Sequence, residues 1–303
     1  MKFEVTILGS SSATPIFQRN PTSQIVNINE KILMIDCGEG TQQQMLRFGI
    51  KFNKIENIFI SHLHGDHFFG LIGLLSSMNL NGRVKALNLY CPKPLKDILE
   101  LQFLHSGSVL RFPLNYFFTQ NQQAQTLVDT VDYSVETIIL NHRIPCTGFL
   151  FTTKKKLRKI IKEKVEELKI PKEYIDLIKK GFDYTDSYGN IHSAQTLTTD
   201  ADEPRSYAYC SDTLYSLDYL QSIKNVNTLY HEATFLSEMS QRAKETYHTT
   251  ALEAGQLAAT AQVEALIIGH FSARYKDVGT LLLEAQSVFT NTHLAIEGKS
   301  FTI

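Results

Sequence analysis

The stretch that decides the fold of this chain is Ile58-Phe59-Ile60-Ser61-His62-Leu63-His64-Gly65-Asp66-His67. Its first three residues are apolar and predict a short buried strand, and its last six include four side chains that commonly bind metal ions. The apolar side chains that follow, between Phe68 and Leu75, predict one face of a helix. Strand, polar loop and helix in this order are a common arrangement for a functional site at the carboxyl end of a strand.

The four ligand-type side chains fall within one predicted loop and form two pairs. His62 and His64 are two residues apart, and in an extended segment such residues point to the same side and can bind one ion. Asp66 and His67 then turn toward a neighbouring ion, because Gly65 permits a tight bend between the pairs. Imidazole and carboxylate ligands suit zinc, with Mn²⁺ or Fe²⁺ as substitutes. The alternative is a histidine-rich polar surface loop, but this spacing behind a buried strand favours the metal site.

Predicted strands and helices alternate along most of the chain. The strands are expected at 3–8, 24–28, 32–35, 58–60, 88–90, 134–140, 206–210, 228–231 and 265–268, and the helices at 42–48, 250–260 and 278–289. This interleaving predicts an α/β fold, which we assign to a single domain over 1–303. The region 151–196 breaks the pattern, since it is rich in lysine and helical at first and then polar, and is therefore read as an inserted arm.

Charge is unevenly distributed along the chain. The formal net charge of −1 argues on its face against a nucleic-acid partner, yet the segment from Lys154 to Lys180 contains 11 Lys/Arg and 5 Asp/Glu. A compact basic segment on an acidic body suggests a surface for a polyanion. An ordinary solvated helix face is the alternative for a run of lysines.

The composition is that of a globular protein, with 43% hydrophobic and 20% charged residues. The four cysteines are scattered without a C-x-x-C pair, which favours a reducing compartment. Neither a signal-peptide pattern nor an apolar run long enough to cross a bilayer is found. We therefore expect a soluble cytoplasmic protein with no membrane partner.

The stretch His62–His67 resembles the H-x-H-x-D-H signature of the metallo-β-lactamase superfamily. The remaining elements resemble the ribonuclease Z family in particular, in the expected order between Gly9 and Tyr275. They are an early structural aspartate (Asp36), a histidine after a strand (His142), an aspartate in a turn (Asp212), a HEAT element (His231-Glu232-Ala233-Thr234), a companion histidine motif (His248-Thr249-Thr250) and a closing histidine with a Ser-x-Arg-Tyr tail (His270 to Tyr275). Three histidines lie outside these elements and are expected to be structural or exposed, namely His105, His192 and His293.

This resemblance implies a four-layer αβ/βα metallo-β-lactamase sandwich with a protruding arm and two Zn²⁺ per subunit. The first ion would be held by His62, His64, His142 and Asp212, and the second by Asp66, His67, His270 and again Asp212. It further implies a homodimeric, zinc-dependent endoribonuclease. Such an enzyme cleaves precursor tRNA on the 3′ side of the discriminator nucleotide, leaving a 3′-hydroxyl on the tRNA, by two-metal activation of a bridging water.

Catalytic and substrate-binding residues follow from the same resemblance. Asp66 is the expected base, and His248 the expected proton donor to the leaving oxygen, oriented by Glu232. The alternative for the last two is that they are ordinary helix-terminal residues. The candidates for contact with phosphate or the terminal nucleotide are Arg19, in a Pro- and Arg-containing loop, and Ser272 and Arg274.

The inserted arm at 151–196 occupies the place of the family's tRNA-binding arm. That arm typically contains a Gly-Pro element, and Lys169–Tyr174 here contains none, so a different grip is expected. Two other functions are considered. One is a superfamily phosphodiesterase or esterase with a small substrate, which would not need the basic insertion. The other is a metal-silent RNA-binding relative, against which the complete ligand set argues.

Overall fold

A computed structural model of the chain describes residues 2–16 and 18–303. It divides into two compact units. The main unit comprises Met1–Thr152 and Arg205–Ile303, and the inserted unit is Thr153–Pro204. Phe17, in the predicted substrate-binding loop, lies outside the described residues.

The elements of the chain are short and numerous. The strands are β1 (Phe3–Gly9), β2 (Ser23–Ile28), β3 (Lys31–Ile35), β4 (Ile55–Phe59), β5 (Leu87–Cys91), β6 (Leu114–Phe118), β7 (Thr126–Asp129), β8 (Tyr133–Leu140), β9 (Cys146–Thr153), β10 (Lys159–Ile160), β11 (Tyr184–Thr185), β12 (Ile191–His192), β13 (Thr198–Thr199), β14 (Ser206–Cys210), β15 (Thr228–Glu232), β16 (Ala265–Gly269), β17 (Thr292–Leu294) and β18 (Ser300–Thr302). The helices are α1 (Thr41–Arg47), α2 (Gly65–Phe68), α3 (Leu71–Leu80), α4 (Pro94–His105), α5 (Lys162–Glu167), α6 (Lys172–Lys179), α7 (Ala194–Leu197), α8 (Leu220–Ile223), α9 (Ser240–Thr246), α10 (Ala251–Ala261) and α11 (Gly279–Gln286). Two 3₁₀ turns, Phe52–Lys54 and Ser237–Met239, complete the description.

The main unit contains two seven-stranded sheets. The first has the order β18-β1-β2-β3-β4-β5-β6, and the second has the order β17-β16-β15-β14-β9-β8-β7. In the first sheet, β3, β4, β5 and β6 run parallel to one another. In the second, β14, β15, β16 and β17 do so. Because parallel strands end at the same edge, the residues after β14, β15 and β16 are brought together.

Three apolar clusters define four layers. The central cluster mixes side chains from both sheets, such as Ile7 and Phe59 from the first and Phe149 and Tyr209 from the second. A second cluster packs α8, α10 and α11 against the second sheet, and a third packs α1, α3 and α4 against the first sheet. Helix, sheet, sheet and helix therefore follow one another, which is the predicted αβ/βα sandwich. The prediction of this fold class is confirmed.

The inserted unit has a small core of its own. Five buried side chains form it: Ile170, Ile178, Tyr184, Ala194 and Leu197. Its Lys-rich first part contains the helices α5 and α6, as expected, but the short strand β10, paired with β13, precedes them. The polar stretch after α6 forms a second small hairpin of β11 and β12.

Two local predictions at the decisive stretch are also corrected. Asp66 and His67 lie in the short helix α2 rather than in a loop. Gly65, the first residue of α2, is not needed for a left-handed bend. Its role is to leave room, because a Cβ there would lie only 2.1 Å from the ring of Phe69. A four-residue helix is too short to produce a detectable apolar period, so sequence periodicity could not reveal it.

Elsewhere the predicted elements agree with the structure within a few residues. The hairpin of β2 and β3 is antiparallel, as the two runs at 24–28 and 32–35 predict. Helix α10 starts after Thr250, whose hydroxyl accepts from the Glu253 amide in a capping box. Within the described part of the chain, none of the helices has the length and apolar character needed to span a membrane.

Candidate metal centre

The seven predicted ligands lie just beyond the ends of four strands of the main unit. The pair His62 and His64 follows β4, and α2 then carries Asp66 and His67. The other three lie one or two residues beyond β8, β14 and β16, namely His142, Asp212 and His270. Residues distant in sequence are thus brought to one edge of the sandwich by the strand order.

One group of potential ligand atoms surrounds the first pair of histidines. Nδ1 of His64 lies 3.0 Å from Nε2 of His62 and 3.2 Å from Nε2 of His142. Oδ2 of Asp212 completes this group, at 3.6 Å from Nε2 of His62 and 3.7 Å from Nε2 of His142. Four ligand-type atoms therefore converge on one point.

The other oxygen of Asp212 faces a second group. Oδ1 lies 3.1 Å from Nε2 of His67 and 3.0 Å from Nε2 of His270. Oδ2 of Asp66 lies 3.5 Å from the first of these nitrogens and 3.4 Å from the second. The Asp212 carboxylate thus stands between the two groups, with one oxygen turned to each.

The geometry of both groups fits divalent cations. A tetrahedral ion with bonds of about 2.0–2.1 Å separates its ligand atoms by about 3.3 Å, which is close to the distances above. Nε2 of His67 and Nε2 of His270 are buried and make no hydrogen bond with any described residue, although Oδ1 of Asp212 lies 3.1 and 3.0 Å away. A cation shared with the carboxylate would satisfy both nitrogens.

Protonation states in the main unit also suit metal binding. Burial and the charge of His67 lower the pKa of His62 well below its usual value, and burial lowers the pKa of His142 to about 4. Burial alone would raise the pKa of Asp212, but His270 and His67 hold it well below its usual range. Neutral His62 and His142 and an ionised Asp212 are the forms that bind a cation. Burial would lower the pKa of His67, but Asp212 and Asp66 raise it well above its usual value, so this ring must release a proton when a cation binds.

Asp36 holds His67 in place from behind. Its carboxylate is fully buried and lies 2.7 Å from Nδ1 of His67, so that nitrogen donates to it and Nε2 faces the ligand cluster. The amide and hydroxyl of Ser61 and the hydroxyl of Tyr209 also donate to this carboxylate, at 2.8, 2.9 and 2.7 Å. Such outer-sphere partners fix the tautomer and orientation of a ligand histidine.

Glu232 holds His248 in the same way that Asp36 holds His67. Its buried carboxylate lies 3.0 Å from Nδ1 of His248 and also accepts from the amides of Thr213 and Thr249. Burial would lower the pKa of His248, but the charge of Glu232 and its hydrogen bond raise it to about 9. At neutral pH His248 therefore carries a proton and can donate it from the ring.

Thr234 links this carboxylate to a predicted ligand. Its hydroxyl donates to Oε2 of Glu232 and lies 3.1 Å from Nδ1 of His270, which can donate to it. His231 of the same element is buried instead beside Tyr219, whose hydroxyl lies 2.9 Å from Nε2. In the HEAT element, His231 is therefore a core residue, whereas Glu232 and Thr234 are hydrogen-bonded to each other beside the ligand cluster.

Three site residues adopt a backbone conformation that is unusual for residues other than glycine. The φ angles are +53° at Asp36, +42° at Asp212 and +58° at His270. Asp and His are among the residues that tolerate the left-handed region, at some cost in energy. Each residue lies directly after the end of a strand or one residue beyond it, where this turn directs the side chain into the cluster.

A cavity of about 440 Å³ opens onto the ligand cluster. Its lining includes Asp66, Asp212, His248 and His270, so the predicted base and proton donor face one space. It also includes Arg143, to which the sequence analysis assigned no role, and Phe69, which was expected on the apolar face of a helix but is 62% exposed. A lone arginine and a lone aromatic residue carry no spacing pattern, and only their proximity to His142 and Asp66 in sequence could have suggested them.

The three predicted substrate-binding residues are absent from the described lining of this cavity. Arg19 donates from Nη2 to the carbonyl oxygens of Ser272 and Tyr275, at 3.4 and 2.6 Å. Nε of the exposed Arg274 donates to the hydroxyl of Ser272 at 3.1 Å, and its guanidinium lies 5.2 Å from the ring centre of Phe235. Arg19 therefore contacts the segment Ser272–Tyr275, and Arg274 contacts Ser272 within the same segment.

The other three histidines do not join the cluster. His105 and His293 are exposed. His192, in the inserted unit, lies 3.1 Å from the carboxylate of Asp186.

Comparisons with known proteins place the chain among metal-dependent hydrolases. Residues 3–197 match the family model described as "Anti-Pycsar protein Apyc1". Curated relatives named "Ribonuclease Z" match almost the whole chain. The protein of Cytophaga hutchinsonii is 47% identical over 305 residues, covering 100% of this chain and 97% of its own length. That of Bacteroides fragilis is 44% identical over 296 residues, covering 98% and 97%.

Solved structures show the same fold. Human tRNase Z, short form, superposes with a TM-score of 0.71 at 24% identity, covering 99% of each chain. The metallo-β-lactamase fold protein YhfI of Bacillus subtilis gives a TM-score of 0.70 at 18% identity and covers 100% of both chains. At these identities the structural match supports the fold alone.

Proposed function

The chain belongs to the ribonuclease Z family, and to the family that the Apyc1 model describes, and on this basis we propose that it is a zinc-dependent endoribonuclease acting on precursor tRNA. Cleavage falls on the 3′ side of the discriminator nucleotide and leaves a 3′-hydroxyl on the tRNA. One observation carries the proposal: the two oxygens of Asp212 face two separate ligand groups, beside a histidine that is positioned to donate a proton.

The proposed ligands divide between two ions. The first is held by His62, His64, His142 and Asp212, and the second by Asp66, His67, His270 and the shared Asp212. When bound, such a pair of cations lowers the pKa of water toward neutrality and withdraws charge from the phosphate. Zn²⁺ suits this set of imidazole and carboxylate ligands, and Mn²⁺ or Fe²⁺ can substitute.

The chain's own residues move the protons. Asp66 acts as base and orients the attacking water; the amide of Ala13 donates to its Oδ2 at 2.7 Å and so fixes the carboxylate. His248 gives a proton to the leaving 3′-oxygen, and Glu232 orients its ring through Nδ1. Arg19 donates to two backbone carbonyl groups of the loop that contains Ser272 and Arg274, and so fixes this loop. From it, the side chains of Ser272 and Arg274 can reach the RNA.

The inserted unit is proposed as the arm that binds tRNA. The unit contains 11 Lys/Arg and 10 Asp/Glu, because Asp183, Asp186, Asp200, Asp202 and Glu203 belong to it as well. Lys155 and Lys159 are paired with Glu203 and Asp202, at 3.2 and 2.6 Å. The charge available for phosphate therefore lies on the lysines around α6 that form no ion pair with any residue the structure describes.

We expect the variant with Lys169, Lys172 and Lys180 all changed to Ala to bind precursor tRNA more weakly. Each phosphate contact contributes about 0.9 to the slope of log affinity against log salt, so the slope should fall by about 2 to 3. Filter binding across a salt series measures this. The control is Lys155→Ala with Lys159→Ala, whose side chains are already ion-paired. An equal fall in both variants contradicts the arm proposal.

Asp36→Asn should weaken metal binding without opening the fold. The asparagine amide keeps the shape of the carboxylate but lacks its negative charge, so it is a weaker acceptor for Nδ1–H of His67. Loss of such a partner costs about 10- to 100-fold in metal affinity. Competition with a chromogenic chelator measures the change. The exposed Asp97→Asn serves as control. Unchanged affinity in the Asp36 variant would show that this aspartate does not support the site.

A homodimer is proposed from family membership. It is supported by strongly exposed apolar side chains on and near α3 and α4, such as Leu80, Leu104 and Val109, at 82%, 72% and 81% exposure. Light scattering on the eluted protein tests this state, and a mass equal to a single chain contradicts it.

Mapping product ends on a precursor tRNA tests the function itself. We expect one cut after the discriminator nucleotide, a 3′-hydroxyl on the tRNA and a 5′-phosphate on the trailer. Bis(p-nitrophenyl) phosphate is assayed beside it. Turnover of this small diester with an intact precursor would favour the alternative, a superfamily hydrolase for small substrates.

A further inference from the structure

Two side chains on the metal cavity have no part in the mechanism above, Arg143 and Phe69. We propose that they form a nucleotide subsite for the RNA, in which Arg143 binds a phosphate next to the scissile one and Phe69 stacks on a base. This inference rests on the proposed function and deepens it. With this subsite, the metal centre would bind a polynucleotide chain in preference to a small phosphodiester.

Arg143 is the cation that is free to bind a phosphate here. It is the single Lys or Arg among the described residues that line the cavity, and its side chain is exposed. Its guanidinium forms neither a hydrogen bond nor an ion pair with residues 2–16 or 18–303. Guanidinium is always charged and presents donors in a fork that matches two phosphate oxygens. An unpartnered fork facing an anion-processing site is therefore a phosphate-binding group.

The two other arginines near this region are occupied. Nη2 of Arg19 donates to two backbone carbonyl groups, at 3.4 and 2.6 Å. Arg274 donates to the hydroxyl of Ser272 at 3.1 Å and lies over the ring of Phe235. Binding a phosphate with either would break these contacts, whereas Arg143 has none to lose.

Phe69 offers an aromatic face on the same cavity. Its side chain is 62% exposed, which core packing does not explain. The ring is nevertheless fixed, because it lies against Gly65, where a Cβ would approach it to 2.1 Å. The ring of Phe68 meets it at an angle, with 5.1 Å between ring centres. A held and exposed aromatic ring beside a phosphodiester site suits stacking on a base of any sequence.

Both groups adjoin the same predicted ligand, His64. Arg143 follows His142, whose Nε2 lies 3.2 Å from Nδ1 of His64. Phe69 packs on Gly65, the residue after His64. A phosphate and a base of one neighbouring nucleotide can therefore be bound together, beside the scissile phosphate. A small diester lacks both features and gains nothing from this subsite.

The test uses Arg143→Ala and Phe69→Ala, with Arg143→Lys and Phe69→Tyr as conservative variants. Arg111→Ala and Leu283→Ala are controls, since both residues are exposed and lie outside the described cavity lining. The RNA substrates are a precursor tRNA and four modified forms of it. Two forms carry one neutral methylphosphonate linkage (at a 2′-deoxynucleotide), placed before the cleavage point in one form and after it in the other. The other two forms carry one abasic residue, placed in the same two ways. Bis(p-nitrophenyl) phosphate is the small diester.

We expect each alanine variant to lose about tenfold in kcat/KM on the precursor, mainly through KM, and clearly less on the small diester. Arg143→Ala should also lower the salt slope by about 0.7 to 0.9, and Arg143→Lys should restore that slope. The loss in Arg143→Ala should vanish on one methylphosphonate RNA, and the loss in Phe69→Ala on one abasic RNA. Phe69→Tyr should retain stacking.

Other results overturn the subsite. If wild type cuts the precursor and the alanine variants cut it equally fast, or lose the same factor on every substrate, the subsite is refuted and the proposed function stands. If wild type leaves the precursor intact while hydrolysing the small diester, both the function and the subsite fall.

Discussion

Asp212→Asn should abolish RNA cleavage, with a fall in kcat of about 10⁴-fold or more, the size seen when one member of a cooperating catalytic set is removed. The carboxylate is buried and turns one oxygen to each ligand group. Asparagine tolerates the left-handed backbone at this position and keeps the side-chain shape. It removes the negative charge between two cations and leaves only one oxygen to share. We therefore also expect bound metal to fall from about two ions per chain to about one or fewer.

The matched control is Asp218→Asn, an exposed aspartate six residues on. Metal content by mass spectrometry and kcat on precursor tRNA are measured for both variants, with circular dichroism to verify the fold. A folded Asp212→Asn protein that keeps two ions and wild-type turnover would contradict the bridging role.

His248→Ala should separate metal binding from catalysis. The ring faces the cavity beside the ligand groups but is held by Glu232, so its removal leaves the seven proposed metal ligands in place. Loss of a general acid costs about 10²- to 10⁴-fold in rate. We expect a fall of this size in kcat on precursor tRNA, with metal content unchanged. His105→Ala, at an exposed helix end, is the control.

The leaving group tells an acid from a merely structural histidine. A precursor whose 3′-oxygen at the cleavage point is replaced by sulfur has a good leaving group and needs no proton. We expect His248→Ala to cut this RNA nearly as fast as wild type does. An equal loss on both RNAs would assign His248 a structural role.

The pH profile carries a second signature of the same residue. The acid must be protonated, so the rate should fall as pH rises through the pKa of His248, which Glu232 raises to about 9 against the effect of burial. Bound cations add positive charge nearby and lower that pKa, so the fall should begin at or below this value. The alkaline fall should disappear in His248→Ala and with the sulfur-containing substrate.

Elements with a clear local pattern were predictable from sequence. The runs at 24–28 and 32–35 give the hairpin of β2 and β3, and the buried runs at 206–210 and 265–268 give parallel strands of the second sheet. The spacing of His62 and His64 predicts a shared direction, and their nitrogens lie 3.0 Å apart.

Other features depend on contacts between distant residues and leave no local pattern. Asp212 alone reads as a turn residue, and only the resemblance to a family marks it as a ligand. The contact of Asp36 with His67 joins positions 31 residues apart. The basic run of the inserted unit looks like a free polyanion site until Asp202 and Glu203 are seen paired with its lysines. Arg143 and Phe69 become visible only as walls of one cavity.

The most direct test of the account is anomalous diffraction at the zinc edge from crystals grown with zinc. We expect two peaks per chain, one among His62, His64 and His142 and the other among Asp66, His67 and His270, with the Asp212 carboxylate between them. A single peak, peaks elsewhere, or side chains turned apart with solvent between them would contradict the metal centre and the nuclease assignment with it.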